Sequence, residues 1–121
     1  MRTIQDVLRD VAAVPDFFGI AVVDANTRGH FSVYPLHVAA VQGDCEAIKL
    51  LVQFGALIDQ RGEHGFTPLM EAVAQGNDAA VELLISLGAN PIPNDAGDLP
   101  STYAQISGRS ALATRLLGIG F

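Results

Sequence analysis

The chain has 121 residues, enough for one domain with a single modest hydrophobic core. Half of its residues are apolar and 17% are charged, a balance that excludes an intrinsically disordered chain. Its thirteen acidic and seven basic residues give a formal net charge of −6. This charge argues against binding to nucleic acid or to an anionic membrane surface. It favours the attraction of a basic protein.

The N-terminal residues do not form an export signal, because Asp6, Arg9 and Asp10 interrupt any apolar stretch before Pro15. The longest apolar run, residues 17–23, is far shorter than the ~20 residues that span a bilayer. A single cysteine cannot form an internal disulfide, which fits a reducing compartment. These features predict a cytoplasmic protein.

Residues 1–23 are predicted to cap the N-terminal end of the fold. A short amphipathic helix should begin after Thr3 and end before Pro15, because its apolar residues lie at the spacing i, i+3, i+4, i+7. These residues are Ile4, Val7, Leu8 and Val11. An irregular turn at Phe17-Phe18-Gly19 follows. Its two phenylalanines either fill the open end of the fold or form an exposed anchor for a partner.

From residue 24 onward the sequence repeats itself at an interval of 33 residues. Pro35-Leu36-His37-Val38-Ala39-Ala40 with Gly43 returns as Pro68-Leu69-Met70-Glu71-Ala72-Val73 with Gly76, and Gly55-Ala56 returns as Gly88-Ala89. A weaker third copy has lost one residue in the loop 91–97. It keeps Pro100, Ala104, Gly108 and Gly120. Such a period indicates a stack of identical structural units.

Each unit is predicted to contain two helices. Pro68 suits the first turn of a helix, Thr67 can cap it, and Gly43 and Gly76 can end the first helices in a left-handed conformation. The second helices should cover about 44–54 and 78–87, where apolar residues form one stripe and glycines follow. The stripes consist of Ala47, Ile48, Leu51 and Val52, and of Ala80, Val81, Leu84 and Ile85.

In Pro35 to Ala39 and in Thr67-Pro68-Leu69 the chain resembles the ankyrin-repeat family, whose unit is a β-turn followed by two antiparallel helices with a T-P-L-H-x-A signature. The resemblance implies an all-α solenoid in one domain, with a structural hydrogen bond from His37 to a neighbouring turn. Val33-Tyr34 departs from the family pattern, so the conformation of the first turn stays open. The predicted segments are an N-terminal cap (1–23), repeat 1 (24–58), repeat 2 (59–91) and repeat 3 with a C-terminal cap (92–121).

The C-terminal cap is predicted from polar residues at positions that are apolar in the earlier copies. Arg115 stands where the first two copies have Leu50 and Leu83. The third copy also replaces apolar residues with Ser101, Thr102 and Gln105. End repeats are modified in this way because they meet water.

No motif predicts an enzyme or a bound cofactor. His30, His64 and Glu63 could approach one another at the turn tips, but the sequence has no short-spaced pair of zinc ligands. Cys45 lies between acidic neighbours, which raise the pKa of a thiol, so we expect a packed residue and not a nucleophile. The glycines follow helices and do not open them, unlike those of a phosphate-binding loop.

The resemblance implies protein binding through the concave face, which ankyrin folds build from the turn tips and the first helices. The turn tips contribute Arg28, His30, Phe31, Val33, Arg61, Glu63, His64, Phe66, Asp95 and Asp98. The first helices contribute Val38, Val41, Gln42, Glu71, Gln75, Tyr103 and Ser107. Phe31, Phe66 and Tyr103 are the candidate anchors, because aromatic residues often dominate interfaces, although each could instead pack within its own turn.

Two functions fit this face. The first is a monomeric binding module that occludes one protein. The chain resembles small stand-alone bacterial ankyrin proteins, some of which are immunity proteins. That resemblance implies inhibition of a toxin with a basic domain. The second is an adaptor or a structural subunit that self-associates, which exposed side chains at Val38, Val41 and Phe31 would favour. A metal-binding or enzymatic role is the weakest interpretation.

Overall fold

The computed structural model describes all 121 residues, and it contains seven α-helices and no β-strand. Short 3₁₀ turns cover Pro15–Phe17, His30–Ser32 and Glu63–Gly65. The predicted all-α class is confirmed. The helices are α1 (Ile4–Ala12), α2 (Pro35–Gln42), α3 (Cys45–Gln53), α4 (Pro68–Gln75), α5 (Asp78–Ser86), α6 (Pro100–Ile106) and α7 (Ser110–Gly118).

The helices form three stacked pairs, α2 with α3, α4 with α5 and α6 with α7. The first helices α2, α4 and α6 contact one another in order, and α3 contacts α5 in the second row. Helix α1 packs against α2 and α3, so it occupies the N-terminal end of the second row. This is the stack that the repeat predicts, while the boundaries predicted between its segments stay predictions.

The helices begin and end where the local chemistry of the repeat dictates. Pro68 is the first residue of α4, and the Thr67 hydroxyl accepts a hydrogen bond from the N–H of Met70 at 3.2 Å. Gly43 and Gly76 end α2 and α4 at φ values of 67° and 68°, a region that side chains disfavour. The predicted helix starts and stops are therefore confirmed.

One continuous core runs along the stack between the two helix rows. Each leucine or isoleucine that it buries contributes about 1.5–3 kcal/mol relative to an exposed one. Cys45 is half-buried and packs against this core, as expected of a small packed residue. The largest fully buried aliphatic residues are Leu36, Ile48, Leu51, Leu69, Met70, Leu84 and Leu116.

The two N-terminal phenylalanines have different environments. Phe17 is fully buried and its ring lies against Gly29, where an added Cβ would come within 2.9 Å of the ring. Phe18 is 82% exposed. Phe17 therefore fills the end of the stack, as the first interpretation has it. Phe18 is exposed, and its role as an anchor for a partner stays a prediction.

The C-terminal end carries charge where the inner repeats are apolar. Arg115 forms an ion pair with Glu82 at 2.9 Å, whereas Leu50 and Leu83 are partly buried against the core. The last residue returns to the start of α6, where the N–H of Ser101 donates to the carbonyl of Phe121 at 3.1 Å.

His37 joins the first two repeats through both ring nitrogens. Its Nδ1 accepts the N–H of Tyr34 at 3.2 Å, and its Nε2 lies 2.9 Å from the carbonyl of Phe66 in the next turn. These partners require a neutral imidazole with its proton on Nε2. The predicted hydrogen bond between neighbouring turns is confirmed.

Candidate functional site

A groove of about 400 Å³ opens on the concave face between the first two repeats. It lies within the range of about 300–1,000 Å³ that is typical of ligand pockets. Helices α2 and α4, the first two turn tips and the segment after α1 all contribute to its walls. Eight of the predicted contact residues line it: Val33, Val38, Val41, Gln42, Glu63, His64, Phe66 and Glu71.

The groove has an apolar floor. Phe66 is half-buried, Val41 is 39% exposed, and Val38 is only 8% exposed. The expectation that Val38 is an exposed side chain is wrong, because the neighbouring helices cover it. Val38 shapes the floor of the groove and does not project from it.

The polar lining of the groove is acidic. Asp16, Glu63 and Glu71 reach it from three different elements, and neither lysine nor arginine lines it. Glu71 is half-buried; burial raises its pKa, and the nearby charges of Glu63 and Asp16 raise it further, while His64 opposes them. The groove therefore attracts cations and repels anions.

An aromatic pair extends this surface toward the third repeat. The rings of Phe66 and Tyr103 lie edge to face, with centroids 5.0 Å apart and planes at 80°. Gln75, the last residue of α4, and Ser107, which follows α6, are exposed. Two of the three predicted aromatic anchors therefore lie together on the concave face.

The third anchor stands apart. Phe31 is 71% exposed at the tip of the first turn, and its only aromatic neighbour is the ring of His30 at 6.5 Å. Its backbone lies in the left-handed region, at a φ of 59°, which costs a non-glycine residue about 1–2 kcal/mol. Phe31 is thus an exposed side chain on a strained tip.

The first turn closes like the second, which answers the question left open by Val33-Tyr34. The N–H of Gly29 donates to Val33 at 2.6 Å, and the N–H of Gly62 donates to Phe66 at 2.8 Å. Where the second turn has Gly65 at a φ of 72°, the first turn has Ser32 at a φ of 58°. The first turn therefore keeps the shape of the second, although a serine stands where the second turn has glycine.

Several charged residues predicted as partner contacts already have partners within the chain. Arg61 forms an ion pair with Asp95 at 2.9 Å across two turns, and Arg28 donates to the hydroxyl of Ser32 at 2.7 Å. Asp98 is half-buried, and its carbonyl accepts the N–H of Asn94. The side chains of Arg61, Asp95 and Arg28 therefore make contacts within and between the turns that present the face.

The histidines do not assemble a metal site. His30 Nε2 lies 2.9 Å from the carbonyl of Phe18, while His64 Nε2 lies 3.2 Å from Glu63. Nowhere in the structure do three or more histidine, cysteine, aspartate or glutamate side chains group as metal ligands would. None of the seven helices combines the length and the apolar composition that spanning a bilayer requires.

Four residues of the groove were not predicted from the sequence: Val14, Asp16, Ser32 and His37. Val14 and Asp16 precede the first recognisable repeat, so the period gives them no register. His37 was correctly expected to be structural, and the structure adds that its ring also borders the groove. Only the folded segment after α1 shows that the N-terminal cap contributes a wall.

Comparison with known proteins agrees with the stack of helix pairs. A family model described as ankyrin repeats (3 copies) matches residues 11–95, and no curated protein matches the sequence. Ankyrin repeats are non-enzymatic protein–protein interaction modules. The matched span covers most of the chain, including the groove and the first two helix pairs, and the protein therefore belongs to the ankyrin-repeat family.

Proposed function

We propose that this protein binds one partner protein through its concave face and inhibits that partner by covering its working surface. The observation that carries the proposal is the groove between the first two repeats, with an apolar floor continuous with the pair Phe66 and Tyr103. Buried aromatic anchors surrounded by polar residues are the arrangement that concentrates binding energy in protein interfaces. A standard interface needs about 800 Å² from each partner, which three repeats can supply.

The test compares a phenylalanine of the groove with an exposed phenylalanine outside it. Phe66→Ala removes the groove anchor, and Phe54→Ala removes a ring that is 54% exposed at the end of α3. Partner captured from native lysate should fall at least about tenfold with Phe66→Ala and stay unchanged with Phe54→Ala. Circular dichroism checks that both variants remain helical. Equal capture by both variants would reject the concave face as the binding surface.

The specific role that we propose is that of an immunity protein, which neutralises a cognate bacterial toxin in the cytoplasm. Two features support it: the resemblance to small stand-alone ankyrin proteins, and a net charge of −6 that complements a basic toxin domain. Co-expression with the product of a neighbouring toxin gene should restore growth of the host cells. No restored growth with any toxin encoded nearby would reject this role while leaving protein binding intact.

A second candidate is self-association as an adaptor or a structural subunit. Ile106 and Leu117 favour it, because they are 66% and 69% exposed on the third repeat. Light scattering separates the two candidates. The inhibitor should be a monomer at micromolar concentration, whereas a self-associating subunit should form dimers that the double variant Ile106→Ser, Leu117→Ser dissolves.

A further inference from the structure

We infer that the groove between the first two repeats receives a lysine or arginine side chain of the partner, with Glu71 as its counter-ion. The inference rests on the proposed function and makes it specific. It names the chemistry of the partner residue that enters the groove: a long apolar stem that ends in a cation.

Glu71 has no cation of its own. It takes part in no ion pair and in no side-chain hydrogen bond. All six arginines are engaged elsewhere, and neither they nor Lys49 line the groove. The one basic ring nearby, His64, lies beside Glu63 at 3.2 Å. A carboxylate with partial burial and no partner is unusual, because desolvation of an unpaired charge opposes folding.

The surroundings of Glu71 make the binding of a cation beside it more favourable. Asp16 comes from the 3₁₀ turn after α1 and Glu63 from the second turn, so two further carboxylates approach from separate elements. The ring of His37 is the remaining titratable group of the lining; burial lowers its pKa, and its Nδ1 accepts the N–H of Tyr34, so the ring adds no cation. Burial and these like charges raise the pKa of Glu71. A cation placed among the three carboxylates would relieve both effects.

The shape of the groove selects the rest of the ligand. The floor residues Val38, Val41 and Phe66 can cover a methylene stem, as apolar surfaces do for lysine and arginine side chains. An anion would be repelled by the carboxylates, and a purely apolar side chain would bury Glu71 without a partner. Only a side chain with an apolar stem and a cationic end satisfies the floor and the carboxylates together.

The experiment uses short peptides and needs no identified partner. The ¹⁵N-labelled full chain is titrated with acetyl-Gly-Arg-Gly-amide, with the lysine analogue, and with the citrulline analogue, which keeps the shape of arginine without its charge. The amide signals of Val38, Val41 and Glu71 should shift with a dissociation constant in the millimolar range for at least one cationic peptide. The tighter of the two identifies the preferred side chain, and citrulline should leave these signals unchanged.

Two glutamate variants complete the test. Glu71→Gln should weaken peptide binding about fivefold or more, whereas Glu82→Gln, an equal change of charge on α5, should leave binding within about twofold. The pKa of Glu71, followed by carboxyl ¹³C shifts, should fall when the cationic peptide binds. Circular dichroism confirms that both variants are folded.

The inference is overturned if citrulline shifts the same signals, if Glu71→Gln binds as the unmodified chain does, or if neither cationic peptide perturbs the groove. These outcomes differ from failure of the proposed function. Loss of capture with Phe66→Ala and no peptide binding would leave the concave face as the interface without its cation site. Peptide binding with capture unaffected by Phe66→Ala would instead leave the cation site and reject the proposed interface.

Discussion

Glu71 and Ser32 both oppose the stability of the fold that contains them. The carboxylate of Glu71 is partly buried and unpaired beside two other carboxylates. Ser32 adopts a left-handed backbone conformation, which Gly65 adopts in the next turn. Residues of this kind cluster where a surface is prepared for a ligand, because the unfavourable interaction is relieved on binding. Both border the same groove.

Replacing Glu71 by glutamine should therefore stabilise the free protein. The pKa of Glu71 is raised in the folded state, so the folded chain binds its proton more tightly than the unfolded chain does, and folding loses stability as the pH rises from about 4.5 through the folded-state pKa. Urea denaturation should show a gain on the order of 1 kcal/mol at pH 7 that largely disappears near pH 4. A destabilised variant at pH 7 would show that Glu71 already has a favourable partner.

The strained serine gives a second prediction at the same scale. Ser32→Gly should raise stability by about 0.5–1 kcal/mol, because glycine adopts a φ of 58° without the clash of a Cβ. The lost hydrogen bond from Arg28 is exposed and offsets little of this gain. The matched change Gly65→Ala should destabilise, because a residue with a Cβ is strained at the φ of 72° that Gly65 adopts. The added Cβ would also displace the ends of the Arg61 and Asp95 side chains. Thermal unfolding of both variants measures the difference, and equal shifts would contradict the strain argument.

At the scale of the elements, neighbouring repeats are joined by side chains that satisfy the free backbone groups of the preceding unit. Asn77, at the start of α5, donates to the carbonyls of Ala40 and Val41 at the end of α2, at 3.1 and 2.9 Å. Its counterpart Arg109 donates to the carbonyl of Ala74 at the end of α4 at 3.0 Å. Helix ends leave such carbonyls without partners, so each repeat completes the one before it.

The contact of His37 with the next turn makes this coupling sensitive to pH. Burial lowers the pKa of His37, although the carbonyls of Phe66 and Gln60 partly offset the effect. The unfolded chain therefore takes up the proton first, and stability should fall as the pH drops below about 6.5 toward the folded-state value. A proton on Nδ1 would also remove the acceptor for the N–H of Tyr34.

Urea denaturation between pH 7 and pH 5 tests this prediction. The loss of stability over this range should be smaller in His37→Gln, which carries no titrating ring. In the control His64→Gln the loss should persist, because the ring of His64 is exposed. Identical pH profiles for His37→Gln and the unmodified chain would show that protonation of His37 does not weaken the fold.

At the scale of the whole molecule, the number of helices, their order and eight of the twelve residues that line the groove could be predicted from one sequence. The period of 33 residues is set by local requirements, since Pro68 begins a helix and Gly43 and Gly76 end helices wherever they occur. Once the units are known to stack, the register places Val41, Glu71 and Phe66 on one face without knowledge of any distance. Eight of the predicted residues indeed share one groove.

The N-terminal cap could not be predicted in the same detail, because residues 13–23 do not follow the period. Phe17 and Phe18 are identical in chemistry and adjacent in sequence, yet one is fully buried and the other is 82% exposed. Their difference arises from the packing of Phe17 against Gly29, a contact between segments that the sequence does not align. The contribution of Asp16 to the groove has the same origin.

The sequence by itself determined the repeat, the helix ends and the acidic character of the protein, because each depends on residue type at a local spacing. Only the tertiary structure decided that Val38 lies in the floor, that Asp16 and Glu63 converge on Glu71, and that no arginine of the chain reaches them. Burial and electrostatic interaction depend on distances through space, and those distances are fixed only when α1, the turns and the first helices pack together.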